Sequence, residues 1–203
     1  MPTATPTPKG LLFVLSGPSG VGKDSVMERL RRTGDGLHFC VTATTRRKRP
    51  GEVEGVDYFF YSRERFEQLL QRDELLEWAV VHDNLYGIPM DQVRQGLRAG
   101  RDVIVRIDVQ GAATVRRKLP NAVLIFLAPA SLEELLDRMR ARGTETEEEV
   151  AARMAIAARE MAALPSFDYV VVNRDGRLDE TVQQVRCIIT AERSRVTPRR
   201  VEL

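Results

Sequence analysis

The sequence predicts an α/β protein in which helices flank a mainly parallel sheet. Four short apolar runs are typical of strands buried on both faces: Leu11–Ser16, Asp102–Asp108, Ala122–Leu127 and Tyr169–Val172. Helical patterns separate or follow these runs, at Ser25–Arg32, Gly111–Lys118, Leu132–Arg142, Glu147–Ala163 and Leu178–Arg193. Parallel strands need crossover connections, and these helices supply them, so we expect a sheet covered on both faces.

The ends of the chain differ in composition from the body. Residues 1–8 are small, polar and rich in proline, which predicts a disordered leader. Residues 196–203 carry a proline and two arginines and are expected to form a short solvated tail. Between them, residues 9–195 are predicted to form one domain, with a core made from 9–41 and 90–195.

Two segments interrupt the alternation of strands and helices. Residues 42–89 are polar and turn-rich, with an aromatic run and a predicted short helix at Arg63–Gln71. The alternating pattern there indicates a small, half-exposed sheet, so we interpret the segment as a mixed insert projecting from the main sheet. Around residues 138–153, charged residues crowd two helices joined at Gly143, which predicts a second mobile element.

Composition and charge exclude several classes of function. The chain has 203 residues, and its 31 Lys and Arg nearly balance 29 Asp and Glu, so nothing indicates a nucleic-acid or membrane-surface partner. No apolar run approaches the roughly 20 residues that span a bilayer, and no secretory signal pattern is visible, so a cytoplasmic location is expected. Cys40 and Cys187 cannot build a disulfide scaffold, and with only His38 and His82 no zinc cluster is expected.

A glycine-rich turn, GPSGVGKDS, joins the first strand to the first helix. Gly17, Gly22 and Lys23 fit the G-x-x-x-x-G-K frame of a phosphate-binding loop. Glycines allow backbone N–H groups to form an anion-binding nest, the helix N-terminus adds a positive dipole, and the lysine reaches the outer phosphates. A simple turn with a surface lysine is the alternative, which the flanking strand and helix disfavour. The predicted ATP-binding residues here are Gly17, Pro18, Ser19, Gly20, Val21, Gly22, Lys23, Asp24 and Ser25.

The residue after the lysine departs from this motif. Ser or Thr is usual there, because its hydroxyl binds Mg²⁺, whereas this chain has Asp24. A carboxylate binds Mg²⁺ at least as well as a hydroxyl, so Asp24 is a candidate metal ligand. It also places negative charge beside a triphosphate, and we therefore expect a compensating cation.

Further segments follow in order: TATTRRKRPGEVEGVDYFF, LLEWAVV, NLYG, RIDVQGA and RARGTETEEEVAARM. Together with the phosphate loop they resemble the guanylate kinase family, and the resemblance extends from about Lys9 to Ala191. It implies a P-loop kinase fold with a GMP-binding insert and a helical lid. It also implies Mg²⁺-dependent phosphoryl transfer from ATP to GMP or dGMP, in purine nucleotide metabolism.

The resemblance assigns residues to the acceptor nucleotide. Arginine and hydroxyl groups suit its dianionic phosphate, and carboxylates suit the N–H donors of the guanine edge. The implied GMP-binding residues are Arg46, Arg49, Tyr58 and Tyr86 for the phosphate, Thr42, Glu77 and Asp108 for the base, and Glu52, which would orient Arg49 or a water. Each one alone is more simply a strand aromatic, a strand-edge carboxylate or a basic surface residue, but together and in order they support one another.

The donor side is assigned in the same way. The resemblance places Arg138, Arg142 and Arg153 on the ATP phosphates or the adenine, and Asn173 near the adenine. With Lys23 and Arg46, these three arginines form the implied catalytic set. Thr146 and Glu149 are spaced as a capping box, so the acidic run there starts a helix. No general base is expected, because the attacking phosphate oxygen of GMP is already ionised.

Two further positions depart from the family pattern. Arg106 stands where an acidic residue is common, and Ile88 stands where a hydroxyl commonly touches the nucleotide. Because the phosphate loop and the end of the Asp102–Asp108 strand should lie side by side, we hypothesise a charge swap between Asp24 and Arg106. In the alternative, the two changes are unrelated and Arg106 simply faces the nucleotide phosphates.

Two other functions stay open at this point. The GKDS sequence also resembles the loop of ribose bisphosphate phosphokinases, whose sugar phosphate acceptor would not require Glu77 and Asp108. A non-catalytic, guanylate-kinase-like binding module is the second alternative. Such modules have lost phosphate-loop residues, whereas Gly17, Gly22 and Lys23 are retained here.

Overall fold

The computed structural model describes residues 10–81, 83–141 and 146–203. The elements along the chain are β1 (Leu12–Ser16), α1 (Lys23–Arg32), β2 (His38–Phe39), β3 (Ala43–Thr44), β4 (Phe59–Phe60), α2 (Arg63–Gln71), β5 (Leu75–Val81), β6 (Asn84–Pro89), α3 (Met90–Arg98), β7 (Val103–Arg106), α4 (Val109–Lys118), β8 (Val123–Pro129), α5 (Leu132–Ala141), α6 (Glu147–Met161), β9 (Tyr169–Asn173) and α7 (Leu178–Arg193).

The central sheet has β1 in the middle. Within the described residues its order is β2-β7-β1-β8-β9, and every neighbouring pair is parallel. The predicted α/β class with a parallel sheet is confirmed. Because neighbouring parallel strands end at the same edge, the loops after β1 and β7 lie side by side, which is where α/β folds bind ligands.

Helices cover both faces of this sheet, and the side chains of β1 alternate between them. Phe13 and Leu15 lie in a cluster with apolar residues of α1 and α7. Leu12 and Val14 lie in the opposite cluster, with residues of α3 and α4. All five residues of β1 are buried, which explains its continuous apolar pattern.

Residues 43–89 contribute a separate sheet of the order β4-β3-β6-β5. Its β3–β6 and β5–β6 pairs are antiparallel, whereas β3–β4 is parallel, so the sheet is mixed. Phe66 of α2 is fully buried beneath it, with Leu75 and Leu85. The predicted helix at Arg63–Gln71 is confirmed with the same bounds.

Some features differ from the sequence predictions. The reading of the sequence missed α3, which follows β6 directly, and the short strand β2. The C-terminal tail is not simply solvated, because the Arg199 guanidinium contacts the buried Glu192 carboxylate at 3.1 Å and Val201 packs against the core. Within the described part of the chain, both cysteines are free thiols, Cys40 buried and Cys187 exposed. His82 lies outside the described residues.

Candidate active site

The turn after β1 has the backbone shape of an anion-binding loop. Gly17 has φ +143° and Gly22 has φ +98°, where side chains are disfavoured. A Cβ on Gly17 would lie 2.1 Å from the Leu127 carbonyl oxygen, and one on Gly22 would lie 2.6 Å from Asn173 Nδ2. Glycine is therefore required at both positions by conformation and by close approach.

Lys23 begins α1 and folds back over the loop. Its Nζ donates to the carbonyl oxygens of Gly17 at 2.6 Å and Pro18 at 2.9 Å. Burial lowers the pKa of Lys23 to about 8, opposed by the nearby carboxylate of Glu160. The ammonium is thus held against the loop, and in such motifs the lysine reaches the outer phosphates.

Asn173, at the end of β9, binds the loop through its side-chain amide. Its Nδ2 donates to the Val21 carbonyl oxygen at 2.8 Å, and its Oδ1 accepts from Thr181 Oγ1 at 3.0 Å. The side chain is only 6% exposed. The amide therefore fixes the loop, and the adenine contact implied by the resemblance stays a prediction.

Arg138 lies beside Asn173, on α5. Its Nη2 donates to the Asn173 carbonyl oxygen at 2.8 Å and pairs with Glu134, and its Nη1 lies 3.4 Å from the Val21 carbonyl oxygen. It lines a cleft of about 490 Å³ together with residues of the loop and of the turn after β9. This cleft is a candidate site for the donor base.

Helix α6 brings Arg153 to the same loop. The Arg153 Nη2 donates to Ser19 Oγ at 2.8 Å. The predicted capping box at the start of α6 is confirmed, because Thr146 Oγ1 accepts from the Glu149 N–H while the Glu149 carboxylate accepts from the Thr146 N–H. Arg142 lies outside the described residues.

A cation and two tyrosines meet in the insert. The Arg46 guanidinium pairs with the Glu52 carboxylate at 2.6 Å and lies 5.4 Å from the centre of the Tyr58 ring. The Tyr58 and Tyr86 rings meet edge to face at 6.1 Å. Glu52 also accepts from the Arg49 backbone N–H at 2.7 Å, so it holds the Arg46 side chain and the Arg49 main chain. The sequence predicts that Glu52 orients Arg49 or a water, and the structure shows that it binds the Arg49 main chain and also the Arg46 side chain.

Two carboxylates face each other where the insert meets the central sheet. Glu77 of β5 is 7% exposed, and Asp108 caps α4 by accepting from the Gly111 N–H at 2.7 Å. A Cβ on Gly111 would lie 2.9 Å from Glu77 Oε2 and 3.3 Å from Asp108 Oδ1, so this glycine leaves room for both. Burial, with the charge of Asp108, raises the pKa of Glu77 to about 7, and Arg106 opposes the rise.

Asp24 and Arg106 connect the loop to these carboxylates. Arg106 ends β7 in register with Leu15 of β1, and its Nε lies 3.1 Å from Asp24 Oδ1. The side chain of Asp24 is 82% exposed. The contact that the charge-swap hypothesis requires is therefore present. With Thr42 and Tyr58, the pair lines a cleft of about 350 Å³ between α1 and the insert.

Ile88 is a core residue. Its side chain is 1% exposed and belongs to the core cluster beneath α3 and α4. The residue expected to have replaced a nucleotide-binding hydroxyl thus contributes to packing.

Sequence reasoning missed Glu160, whose Oε2 accepts from the Ser19 N–H at 3.0 Å. A helical signal was available, because Glu160 lies seven residues after Arg153 and two turns of helix return to the same face. Glu134, which pairs with Arg138, was also missed, and its i, i+4 spacing to Arg138 is the corresponding signal.

Two features are absent from the ranges 10–81, 83–141 and 146–203. No helix there is long and apolar enough to cross a membrane. The described side chains also contain no group of three or more His, Cys, Asp or Glu arranged to hold a metal ion.

Comparison with known proteins gives a consistent result. The family model described as guanylate kinase matches residues 9–192. A guanylate kinase of Halalkalibacterium halodurans is 49% identical over 91% of this chain and 89% of its own length. Guanylate kinase 2, chloroplastic/mitochondrial, of Oryza sativa is 47% identical over 98% of this chain and 70% of its own. The crystal structure of guanylate kinase from Anaplasma phagocytophilum is 32% identical, with a TM-score of 0.72, over 92% of this chain and 88% of that one.

Proposed function

The chain belongs to the guanylate kinase family and is a kinase that phosphorylates GMP; on that basis we propose that ATP is its donor, that dGMP is also an acceptor, and that Mg²⁺ accompanies the donor phosphates. Residues 42–89 would then form the acceptor-binding insert and residues 138–153 the lid. In the cell, the enzyme would serve purine nucleotide metabolism in the cytoplasm.

The observation that supports this proposal is that two chemically different groups of side chains lie at one edge of the central sheet. The phosphate loop follows β1, and the carboxylate of Asp108 follows the neighbouring strand β7. Glu77 faces Asp108 from the insert, and Arg106 stands between the two sites. Cations suit phosphates and paired carboxylates suit a guanine edge, so a donor and an acceptor nucleotide would approach each other across Arg106.

In this mechanism the protein aligns two nucleotides and offsets negative charge. Lys23 would neutralise the outer donor phosphates, and Arg46, held by Glu52, would bind the phosphate of GMP beside Tyr58 and Tyr86. Arg138 and Arg153 would supply charge from the lid side, together with Arg142. The ionised GMP oxygen attacks the donor phosphorus while the bond to the leaving ADP oxygen breaks, so no proton has to be abstracted.

The donor set around the loop suits Mg²⁺ bound mainly by phosphate. Magnesium in kinase sites is usually held by one or two carboxylates plus substrate phosphates. Asp24 is an exposed carboxylate at the start of α1, beside Ser25, and it would be the protein ligand. When bound, the ion would withdraw charge from the transferring phosphoryl group. Arg106 would offset the extra negative charge that Asp24 brings.

The proposal is tested by measuring ADP release with ATP, Mg²⁺ and each of GMP, dGMP, AMP and a ribose phosphate. We expect turnover with GMP and dGMP, little with AMP, and none with the sugar phosphate. Comparable turnover of AMP would contradict the assignment of Glu77 and Asp108 to guanine. Preferred use of the ribose phosphate would favour the phosphokinase alternative. A folded protein that turns over none of these acceptors would favour a binding module.

A further inference from the structure

Ser19, in the middle of the phosphate loop, is bound by two side chains of the same helix. Its hydroxyl accepts from Arg153 Nη2 at 2.8 Å, and its backbone N–H donates to Glu160 Oε2 at 3.0 Å. Arg153 and Glu160 are separated by two turns of α6, so both project from one face of that helix. Both side chains are half-buried. Helix α6 therefore holds the loop at two atoms of one residue.

These two contacts are chemically different. Arginine is attracted to phosphate, so the Arg153 contact with a neutral hydroxyl can be exchanged for a donor phosphate oxygen. A carboxylate gains nothing from a phosphate, and a bond from a backbone N–H to a charged acceptor is among the stronger hydrogen bonds. The Glu160 contact is thus suited to persist while the Arg153 contact changes.

The position of Ser19 in the loop also indicates that its contact with Glu160 can persist. Helix α1 begins at Lys23, and the N–H groups nearest that start are the ones a helix N-terminus offers to an anion. Ser19 lies four residues earlier, before the N-cap residue Gly22. Its N–H can stay on Glu160 without removing a donor from the helix end.

We propose that Glu160 is a positioning residue, which fixes helix α6 to the phosphate loop through the Ser19 N–H and so delivers Arg153 to the donor phosphates. This inference rests on the proposed use of the loop as the ATP site. Loss of Glu160 should therefore weaken the use of ATP and remove most of the contribution of Arg153 to kcat/KM for ATP.

The experiment compares Glu160→Ala, Glu160→Gln and Arg153→Ala, with the double variant Glu160→Ala/Arg153→Ala. Arg159→Gln, at an exposed position of the same helix and outside the proposed lid, is the matched control. Because a hydrogen bond to a charged group is lost, we expect Glu160→Ala to raise KM for ATP by about tenfold or more, with KM for GMP unchanged within about twofold. Gln keeps an acceptor oxygen for the Ser19 N–H, so Glu160→Gln should recover a large part of the loss.

The double variant separates positioning from a general loss of structure. If Glu160 acts through Arg153, the effects on kcat/KM for ATP should be far from additive, and the double variant should resemble Glu160→Ala. Additive effects, an equal rise in KM for both nucleotides, or tighter ATP binding by Glu160→Ala would each overturn the inference. If Glu160→Ala does not fold, Glu160→Asp replaces it, because the shorter side chain keeps the charge but withdraws the carboxylate from the Ser19 N–H; an unchanged KM for ATP in Glu160→Asp, or additive effects of Glu160→Asp and Arg153→Ala, would overturn the inference. Failure of the wild-type enzyme to use ATP would instead refute the proposed function.

Discussion

Replacing Glu77 by Gln should stabilise the fold, and the gain should grow with pH. Glu77 is buried beside Asp108, and its pKa is raised to about 7 from a usual 4.5. The folded state therefore binds the proton more tightly than the unfolded state, and the stability it contributes is complete only below pH 4.5. That contribution is lost as the pH rises towards and through 7.

The size of the effect follows from linkage. One pKa unit corresponds to about 1.4 kcal/mol, so a rise from 4.5 to 7 costs about 3 kcal/mol at pH 8, where the buried carboxyl must ionise. At pH 5 the folded state keeps the proton and the cost is about 1 kcal/mol. Glutamine has nearly the shape of the protonated acid and avoids the cost at every pH.

The assay is urea unfolding of the wild type and of Glu77→Gln at pH 5, 6, 7 and 8, with Glu148→Gln as an exposed control. The difference in the free energy of unfolding should increase by about 2 kcal/mol between pH 5 and pH 8 for Glu77→Gln only. A difference that does not change with pH would refute the reasoning, because Glu77 would then ionise as easily in the fold as in the unfolded chain.

The same substitution should weaken the proposed acceptor site. Ionised Glu77 would accept from the guanine N–H groups, and a hydrogen bond to a charged group is worth about 1.5–3 kcal/mol, or roughly 10- to 150-fold in KM for GMP. KM for ATP should change little. An enzyme that became more stable and kept its KM for GMP would show that Glu77 does not contact the base.

Two further predictions concern the phosphate loop. The first is a double-mutant cycle on kcat with Asp24→Ser and Arg106→Glu. Because the two side chains form an ion pair at 3.1 Å, the cycle should show a coupling of about 1 kcal/mol, roughly fivefold in kcat. Simple additivity of the two effects would refute the charge swap. Gly22→Ala should destabilise the fold more than the roughly 1 kcal/mol expected from left-handed backbone alone, because its Cβ would meet Asn173 Nδ2 at 2.6 Å. Gly100→Ala, also with positive φ but with no described atom within 4 Å of its Cβ, is the control in urea unfolding; equal losses would contradict the clash.

Periodic patterns predicted the central sheet well, because burial on both faces leaves a continuous apolar run that sequence alone reveals. Helix α7 has the predicted bounds, Leu178–Arg193. Helix α3 was missed because Gly96 interrupts its pattern, and the structure gives the reason for that glycine. A Cβ there would lie 2.5 Å from Val103 Cγ2 and 2.9 Å from the His38 ring, so glycine serves close packing at the cost of helix propensity.

The candidate site was predicted only where a local motif or the family resemblance named its residues. Contacts between residues that are distant in sequence leave no local pattern. The hydrogen-bond partners of several side chains in and near the site could therefore be learned only from the structure. The resemblance implies that Asn173 lies near the adenine, and the structure adds that its amide binds Val21 and Thr181. Glu192, which pairs with Arg199 of the tail, gave no signal as a single carboxylate in a helix, whereas the signal for Glu160 was its spacing of two helical turns from Arg153.

The near-neutral net charge conceals an ordered alternation of charge along the edge of the sheet. Asp24 contacts Arg106, and the charge of Arg106 opposes the rise in the pKa of Glu77 that burial and Asp108 cause, so three carboxylates surround Arg106, with the Lys23 ammonium nearby. If the proposed function holds, removing Arg106 would leave Lys23 to offset the three carboxylates near the transferring phosphoryl group. Under the proposed function, Arg106 would balance charge between the donor and the acceptor, and its contact with Asp24 would explain why a carboxylate is tolerated on the phosphate loop.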